Sequence, residues 1–213
     1  MRINILLTIL VGLVISITLY VGFSRWQHHQ QRRQGTAERG WRYTSSLLHS
    51  LFHANYVMAG RMPDRGVWEM RRTSQRGLLL FTWSTDDARL PYGLIRILPR
   101  RAAVTHTEPA VMRLTAWQNK SWQSPVLSDY AVLTSHQQLA ERFLTEEVAL
   151  ALSYWPDWPL PGALEEVTWD HDALHIQARY FDDWATVDRL VALGTALVSG
   201  LVLSKQLSVV RNR

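Results

Sequence analysis

The residues best suited to chemistry are histidines that stand near other polar side chains. His49 and His53 are four residues apart, so on a helix both imidazoles would project from one face and could reach one zinc ion. The glutamate that acts as general base in the H-E-x-x-H motif is missing, because Ser50 occupies its place. With no third ligand nearby in the sequence, the pair is more typical of polar residues at the border of a core.

A second polar cluster comprises His171, Asp172 and His175. An imidazole beside a carboxylate is the arrangement that hydrolytic enzymes use to move a proton. The flanking residues alternate as in two strands joined by a short turn, which places His171 and Asp172 in a hairpin loop and His175 on the next strand. These three residues, followed by a metal held between the two helical histidines, are the first suspects if the protein is a hydrolase.

Several pairs of adjacent acidic residues could in principle supply acid–base carboxylates or magnesium ligands. Each pair lies at a predicted turn or helix start, where turn chemistry and the helix dipole both favour acids. We therefore interpret them as structural. The pairs are Asp86–Asp87, Glu146–Glu147, Glu165–Glu166 and Asp182–Asp183.

Arginines recur on or beside the central predicted strands, where nearby tryptophans could complete a nucleic-acid or anionic-lipid face. No signature of a DNA- or RNA-binding fold accompanies them, and alternation along a strand is typical of a solvent-facing side. Nucleic acid is therefore disfavoured as a partner. The arginines are Arg71, Arg72, Arg76, Arg96, Arg100, Arg101 and Arg113.

Motifs that would define an activity are missing. The chain has no cysteine, which excludes disulfides, zinc–thiolate sites, cysteine-ligated iron–sulfur clusters and a cysteine nucleophile. The phosphate-binding loop G-x-x-x-x-G-K-[ST], the dinucleotide fingerprint G-x-G-x-x-G and the G-x-S-x-G elbow are all absent. We therefore predict no catalytic, metal-binding or cofactor-binding residue, and we favour a function that is not enzymatic.

The N-terminal segment has the composition of a transmembrane helix. Residues 3–23 form an uncharged apolar run, which as a helix would span about 30 Å, the hydrocarbon thickness of a bilayer. A cleaved signal peptide has a shorter apolar region and a small-residue cleavage site, whereas this run ends with Tyr20 and Phe23. The sequence predicts an uncleaved transmembrane helix and a single-pass protein that contacts the bilayer through residues 3–23.

A basic stretch follows the apolar run at once. We expect Arg25, Trp26, Arg32 and Arg33 to contact lipid headgroups at the membrane surface. More arginines follow the run than precede it, so the positive-inside rule places the rest of the chain in the cytoplasm at a bacterial inner membrane, with a periplasmic domain as the alternative. The arginines that follow the run within about twenty residues are Arg25, Arg32, Arg33, Arg39 and Arg42, against Arg2 before it.

The rest of the chain predicts one α+β domain, an antiparallel sheet covered by helices. We divide the sequence into an anchor with a basic juxtamembrane helix (1–34), a hinge (35–40) and a soluble domain (41–213), which would open with a helix over 41–53. Two strand pairs read as hairpins, and a last helix is capped by Asp182 or Asp183. The uncharged run 190–204 in that helix is short for a second membrane span and suits burial against a sheet.

From Asp129 onward the order of motifs is familiar. D-Y-A-V-L-T-S is followed by Gln138-Leu139-Ala140, by F-L-T-E-E-V, by a hairpin and by a closing amphipathic helix. This order, with the upstream segment 59–67, resembles a set of uncharacterised bacterial proteins that carry a single-pass membrane anchor and one α+β domain. The resemblance implies the fold and the anchoring, and it assigns no catalytic role to any residue.

These observations favour a membrane-tethered, non-enzymatic domain that works through contact with a partner protein. Two other functions stay open. One is a membrane-anchored hydrolase with an unrecognised site, and the other is a module that binds anionic lipid or nucleic acid.

Overall fold

The computed structural model describes residues 2–45, 56–62, 66–75, 77–88, 92–103, 115–116 and 129–211. The chain divides into two units, Met1–Ala59 and Gly60–Arg213. His49 and His53, the predicted helical pair, lie outside the described residues.

The first unit contains the apolar helix and the start of a strand pair. Helix α1 (Arg2–Glu38) is the one helix in the described part of the chain that is long and apolar enough to cross a bilayer, and its apolar window is not buried. Strand β1 (Arg42–Ser45) pairs antiparallel with β2 (Tyr56–Arg61). The chain turns at Gly40 with φ +68°, and β1 runs back along α1 until the Tyr43 hydroxyl lies 3.0 Å from Nδ1 of His29.

The predicted hinge at 35–40 is not a break in α1, because the helix continues through Gly35 to Glu38. A glycine inside a helix destabilises the helix by only about 1 kcal/mol relative to alanine, so Gly35 need not end it. Gly35 and Thr36 are both buried, and the Thr36 hydroxyl lies 3.5 Å from Sδ of Met58. The chain leaves the helix at Gly40 instead, and residues 42–45 form a strand where the sequence predicted a helix.

The second unit is built on an antiparallel sheet. Its described strands follow the order β3-β4-β9-β8-β5-β7-β6, and each neighbouring pair is antiparallel. This arrangement, an N-terminal apolar helix followed by an antiparallel sheet with helices, confirms the predicted α+β class. The elements are β3 (Val67–Gln75), β4 (Leu78–Thr85), β5 (Ile95–Pro99), α2 (Arg100–Ala103), β6 (Thr115–Ala116), β7 (Tyr130–Thr134), α3 (Gln137–Phe143), α4 (Glu146–Ser153), β8 (Leu164–Trp169), β9 (Leu174–Arg179) and α5 (Trp184–Arg211).

The core lies between one face of this sheet and the helices. Alternate residues along the strands are buried, among them Trp68, Trp83 and Trp169, each at most 1% exposed. Helix α5 packs on β4 and β9, and its Leu190 and Leu193 are fully buried. The run that was weighed as a second span therefore begins in the core, as its shortness predicted.

The structure decides which acid caps α5. Oδ1 of Asp183 accepts a hydrogen bond from the Thr186 amide at 2.9 Å, as an N-cap does. We expect Asp183→Ala to lower the free energy of unfolding by about 1 kcal/mol, measured by thermal denaturation of the full chain in detergent. Asp182→Ala is the matched control and should cost clearly less. Equal losses for both variants would contradict the assignment of the cap.

Candidate functional site

A pocket lies at the end of the sheet where β5 ends and β7 and β8 begin. It has a cavity volume of about 470 Å³ and is formed within the second unit, by the ends of these strands, the end of α4 and the loop that follows α4. The lining residues are Pro99, Arg100, Arg101, Asp129, Tyr130, Leu152, Ser153, Trp155, Pro156, Asp157, Trp158 and Leu164.

The loop after α4 forms one wall because its sequence cannot continue a helix. Residues 154–161 contain three prolines, which lack the amide hydrogen that a helix needs. The chain turns there, and the Leu160 amide donates to the Asp157 carbonyl at 2.9 Å. This local stop brings Trp155 and Trp158 to the pocket.

The floor of the pocket is aromatic and buried. Tyr130 and Trp155 are both buried, at 9% and 7% exposure. The Tyr130 hydroxyl donates a hydrogen bond to the Leu152 carbonyl at 3.3 Å, on the last turn of α4. Burial raises the pKa of the Tyr130 phenol, and the nearby carboxylates of Asp129 and Asp157 raise that pKa further. The phenol therefore stays protonated, so it ties β7 to α4 and is unsuited to the role of a general base.

The side chain of Trp158 contacts the ion pair between Glu165 and Arg179. Its Nε1 donates to Oε2 of Glu165 at 3.1 Å. The same carboxylate oxygen accepts Nε of Arg179 at 2.9 Å, and this guanidinium lies 5.1 Å from the Trp158 ring centroid. Both charged side chains are largely buried, so the contact fixes the orientation of the indole.

The rim carries charges of both signs. Arg100 and Arg101 begin the short helix α2, while Asp129 and Asp157 come from the loops on either side. All four residues are exposed. An aromatic floor beneath a mixed charged rim can bind a ligand through stacking and through ion pairs. Among the residues that line the pocket there is no histidine.

The structure places the predicted hydrolytic cluster at the opposite end of the sheet. His171 and Asp172 lie in the β8–β9 turn, both strongly exposed, with Nε2 and Oδ1 3.4 Å apart. Asp170, His171 and Asp172 bring potential metal ligands within 4.8 Å of one another. Hydrogen bonds of the turn account for Asp170, whose Oδ1 accepts the amides of Asp172 and Ala173 at 2.8 and 3.0 Å. His175 lies on β9 itself, as the sequence predicted.

Members of the acidic pairs hold structural positions. Oδ2 of Asp87 accepts the Val67 amide at 2.7 Å. Oε1 of Glu166 accepts Nε of Arg96 at 2.6 Å and the Thr168 hydroxyl at 2.8 Å. Glu146 and Glu147 occupy the first turn of α4, and Thr145 caps that helix as the sequence predicted. These contacts fit the interpretation for Asp87 and for Glu146–Glu147. It is wrong for Glu165–Glu166, which lie within strand β8, where both carboxylates form ion pairs with arginines.

The arginines of the sheet do not form one basic face in the part of the chain that the structure describes. Arg96 pairs with Glu166, and Arg71 pairs with Glu69. The Arg72 guanidinium lies 4.4 Å from the ring centroid of Tyr180, which directly follows β9. Arg100 and Arg101 line the pocket instead, a role that the sequence did not suggest. Arg76 and Arg113 lie outside the described residues.

The predicted headgroup contacts all lie on α1. Arg25, Trp26 and Arg33 are exposed, and Trp26 stacks on Phe23 with ring centroids 5.9 Å apart. Arg32 differs, because its side chain is only 7% exposed. This part of α1 has a buried face that includes Gly35 and Thr36 as well as Arg32. The headgroup contacts themselves stay a prediction.

The chain combines an N-terminal helix that is long and apolar enough to cross a membrane with an antiparallel sheet and its helices. No protein-family model matches the chain, and no curated protein matches it. The chain is similar in structure to the mycobacterial trehalose monomycolate transport factor A, TtfA, known from a crystal structure. The two share 10% sequence identity with a TM-score of 0.55, over 82% of this chain and 94% of the other. At this identity the similarity shows a common fold.

Proposed function

We propose that this protein is a membrane-tethered, non-enzymatic domain that binds a partner protein through the pocket beside α4. The observation that carries the proposal is the composition of the pocket, an aromatic floor of Tyr130, Trp155 and Trp158 beneath a rim with Arg100 and Arg101. Tryptophan, tyrosine and arginine are the residues that dominate the energetics of protein–protein contacts. Their convergence in one concave site suits a protruding segment of a partner.

The class of partner follows from the anchor and from the fold. A domain held at a bilayer by α1 meets other membrane proteins at high effective concentration, so a modest contact is enough. The structural neighbour is named a transport factor. We therefore propose a membrane protein, and a transport protein first, as the partner to test. Nucleic acid is a weaker candidate, because Arg71 and Arg96 are neutralised by glutamates.

The hydrolase alternative has less support. Its first suspects, His171 and Asp172, lie in an exposed turn at the far end of the sheet from the pocket. A hydrolytic site is normally a cleft that gathers base, nucleophile and oxyanion donors.

We also propose that the domain lies in the cytoplasm at a bacterial inner membrane, on the basis of the arginines after the anchor.

Photo-crosslinking tests the proposed function. A photo-reactive amino acid at Ser153, an exposed residue of the pocket lining, should crosslink the full-length chain to a membrane protein in its native membrane. Trp158→Ala, and separately Arg100→Ala with Arg101→Ala, should each reduce the crosslinked product about tenfold, because hot-spot residues carry most of the binding energy.

The matched control is His171→Ala with His175→Ala, which should leave the crosslink, the melting temperature and any cellular phenotype unchanged. Loss of the phenotype in this control at an unchanged melting temperature would favour the hydrolase. Pocket variants that melt like the parent chain and crosslink equally well would contradict the proposal.

A further inference from the structure

Exposed apolar residues from separate segments lie at one end of the sheet. Because neighbouring strands are antiparallel, β4 and β8 begin where β9 ends. Leu78 and Leu79 open β4, Phe181 follows β9, and Leu160 lies in the loop before β8. They are 40%, 44%, 48% and 54% exposed respectively. We call these four residues the apical patch.

Backbone contacts show that these segments are neighbours. The Tyr180 amide donates to the Leu79 carbonyl at 2.9 Å, which brings Phe181 beside the start of β4. A Cβ placed on Gly162 would lie 3.5 Å from Cβ of Phe181, so the loop that contains Leu160 passes next to it. The patch is therefore assembled from the start of β4, the segment that follows β9 and the loop after α4.

The surroundings of the patch are aromatic, and the charged residues that the structure describes there carry both signs. The Arg72 guanidinium lies over Tyr180, and Arg179 pairs with Glu165 beneath Trp158. Asp182 follows Phe181 directly. Aliphatic side chains ringed by aromatic residues and arginines are the composition that proteins present to the interfacial zone of a bilayer. Because the charges next to the patch in the described part of the chain include ion-paired residues of both signs, we expect apolar insertion, and not attraction to anionic lipid, to hold such a surface.

The position of the apical patch and the apolar helix α1 both favour a lipid bilayer as the surface that the patch contacts. Leu78 and Leu79 are the first residues of β4 and pair with Gln75 and Ser74 of β3, next to the turn at Gly77, which has φ +80°. They therefore lie at the end of a hairpin. A hairpin end with exposed apolar side chains suits insertion into a deformable bilayer. The chain also carries its own apolar helix, so the second unit stays covalently tied to the membrane that α1 can enter, and even a weak contact would be populated.

We propose that the apical patch inserts into the headgroup region of the bilayer that holds α1. The pocket lies at the same end of the sheet, because β5 ends where β8 begins. Insertion would therefore place the pocket close to the membrane surface, where the membrane-proximal part of a partner could reach it. The insertion itself does not depend on the proposed partner, and it is tested without one.

The chain has no cysteine, so a single introduced cysteine can be labelled without background. Leu79→Cys in the full chain would carry an environment-sensitive fluorophore, in nanodiscs of phosphatidylcholine with or without phosphatidylglycerol. Lipids with spin-labelled acyl chains would serve as quenchers. The control is His171→Cys, in the exposed hairpin turn at the opposite end of the same sheet.

The label at position 79 should be quenched at least about twofold more than the label at position 171, and to the same extent in both lipid mixtures. A second chain carries the label at Phe181→Cys together with Leu78→Ser and Leu79→Ser. Its quenching should fall at least about twofold relative to Phe181→Cys alone, with an unchanged melting temperature.

Equal and weak quenching at positions 79 and 171 would overturn the proposal. A blue-shifted label at position 79 that the spin-labelled lipids do not quench would also overturn it, because the patch would then be covered by protein. Quenching that appears only with phosphatidylglycerol would contradict the apolar basis of the contact.

Discussion

Replacing Gly194 with valine is expected to lower the free energy of unfolding of the second unit by about 3 kcal/mol. A Cβ at Gly194 would lie 2.5 Å from the ring of Trp83. That ring cannot move aside, because it is fully buried and stacks on Trp68 with ring centroids 6.3 Å apart. Helix α5 would have to lift from β4. The measurement is thermal or urea denaturation of the full chain in detergent, followed by tryptophan fluorescence.

The matched control is Ala192→Val, which introduces the same residue at an exposed position in the same helix. It should cost no more than several tenths of a kcal/mol, the helix-propensity difference between alanine and valine. Gly194→Ala should fall between the two variants, since alanine favours a helix over glycine by about 1 kcal/mol yet still clashes with the indole. If Gly194→Val melts like the control, the close packing of α5 on Trp83 is wrong.

A reporter that is active only outside the cytoplasm, fused after Arg213, is expected to give no signal. The arginines that follow the apolar run outnumber Arg2 before it, and the positive-inside rule holds such a flank in the cytoplasm. Burial of Arg32 in the folded protein does not alter this expectation, because orientation is set as the chain inserts. A second fusion with a reporter that is active only in the cytoplasm should give a strong signal.

The opposing physical fact is that a long domain can be translocated largely regardless of charge. A strong external signal that disappears when residues 3–23 are deleted would therefore place the second unit in the periplasm. Arg25→Gln with Arg33→Gln tests the cause, since both side chains are exposed on α1 and their loss should raise the external signal. An unchanged signal in that variant would show that charge does not set the orientation.

Several features of this protein could be predicted from the sequence because they depend on local pattern. An uncharged apolar run with interfacial aromatics predicts a helix long enough for a bilayer, and α1 is such a helix. Alternating strands around Gly77 and around 170–173 predict hairpins, and β3–β4 and β8–β9 are those hairpins. Thr145 before two glutamates predicts a helix start, and its hydroxyl caps α4.

Local pattern was misleading where tertiary contacts compete with propensity. The segment 35–40, with glycine at both ends, suggested a hinge, but α1 continues through Gly35 to Glu38, and Gly35 and Thr36 are buried. The segment 41–53 has apolar residues at helical spacing in its second half, which predicted a helix. Its first residues, 42–45, instead form a strand that pairs with β2. A paired strand is stabilised by a neighbour that is distant in sequence, and no local pattern reports that neighbour.

The apolar helix, the α+β class and the hairpins could be predicted from the sequence, because each of them depends on patterns of residues that are near one another in the chain. The pocket could not, because the proline-rich segment after α4 joins Tyr130, Arg100 and Arg101 only when the chain has folded. The same is true of the stacked Trp68 and Trp83, whose rings need Gly60 and Gly194 beside them. These pairings span more than a hundred residues of chain in the case of Gly194, and they exist because close packing selects a side chain by the space that remains.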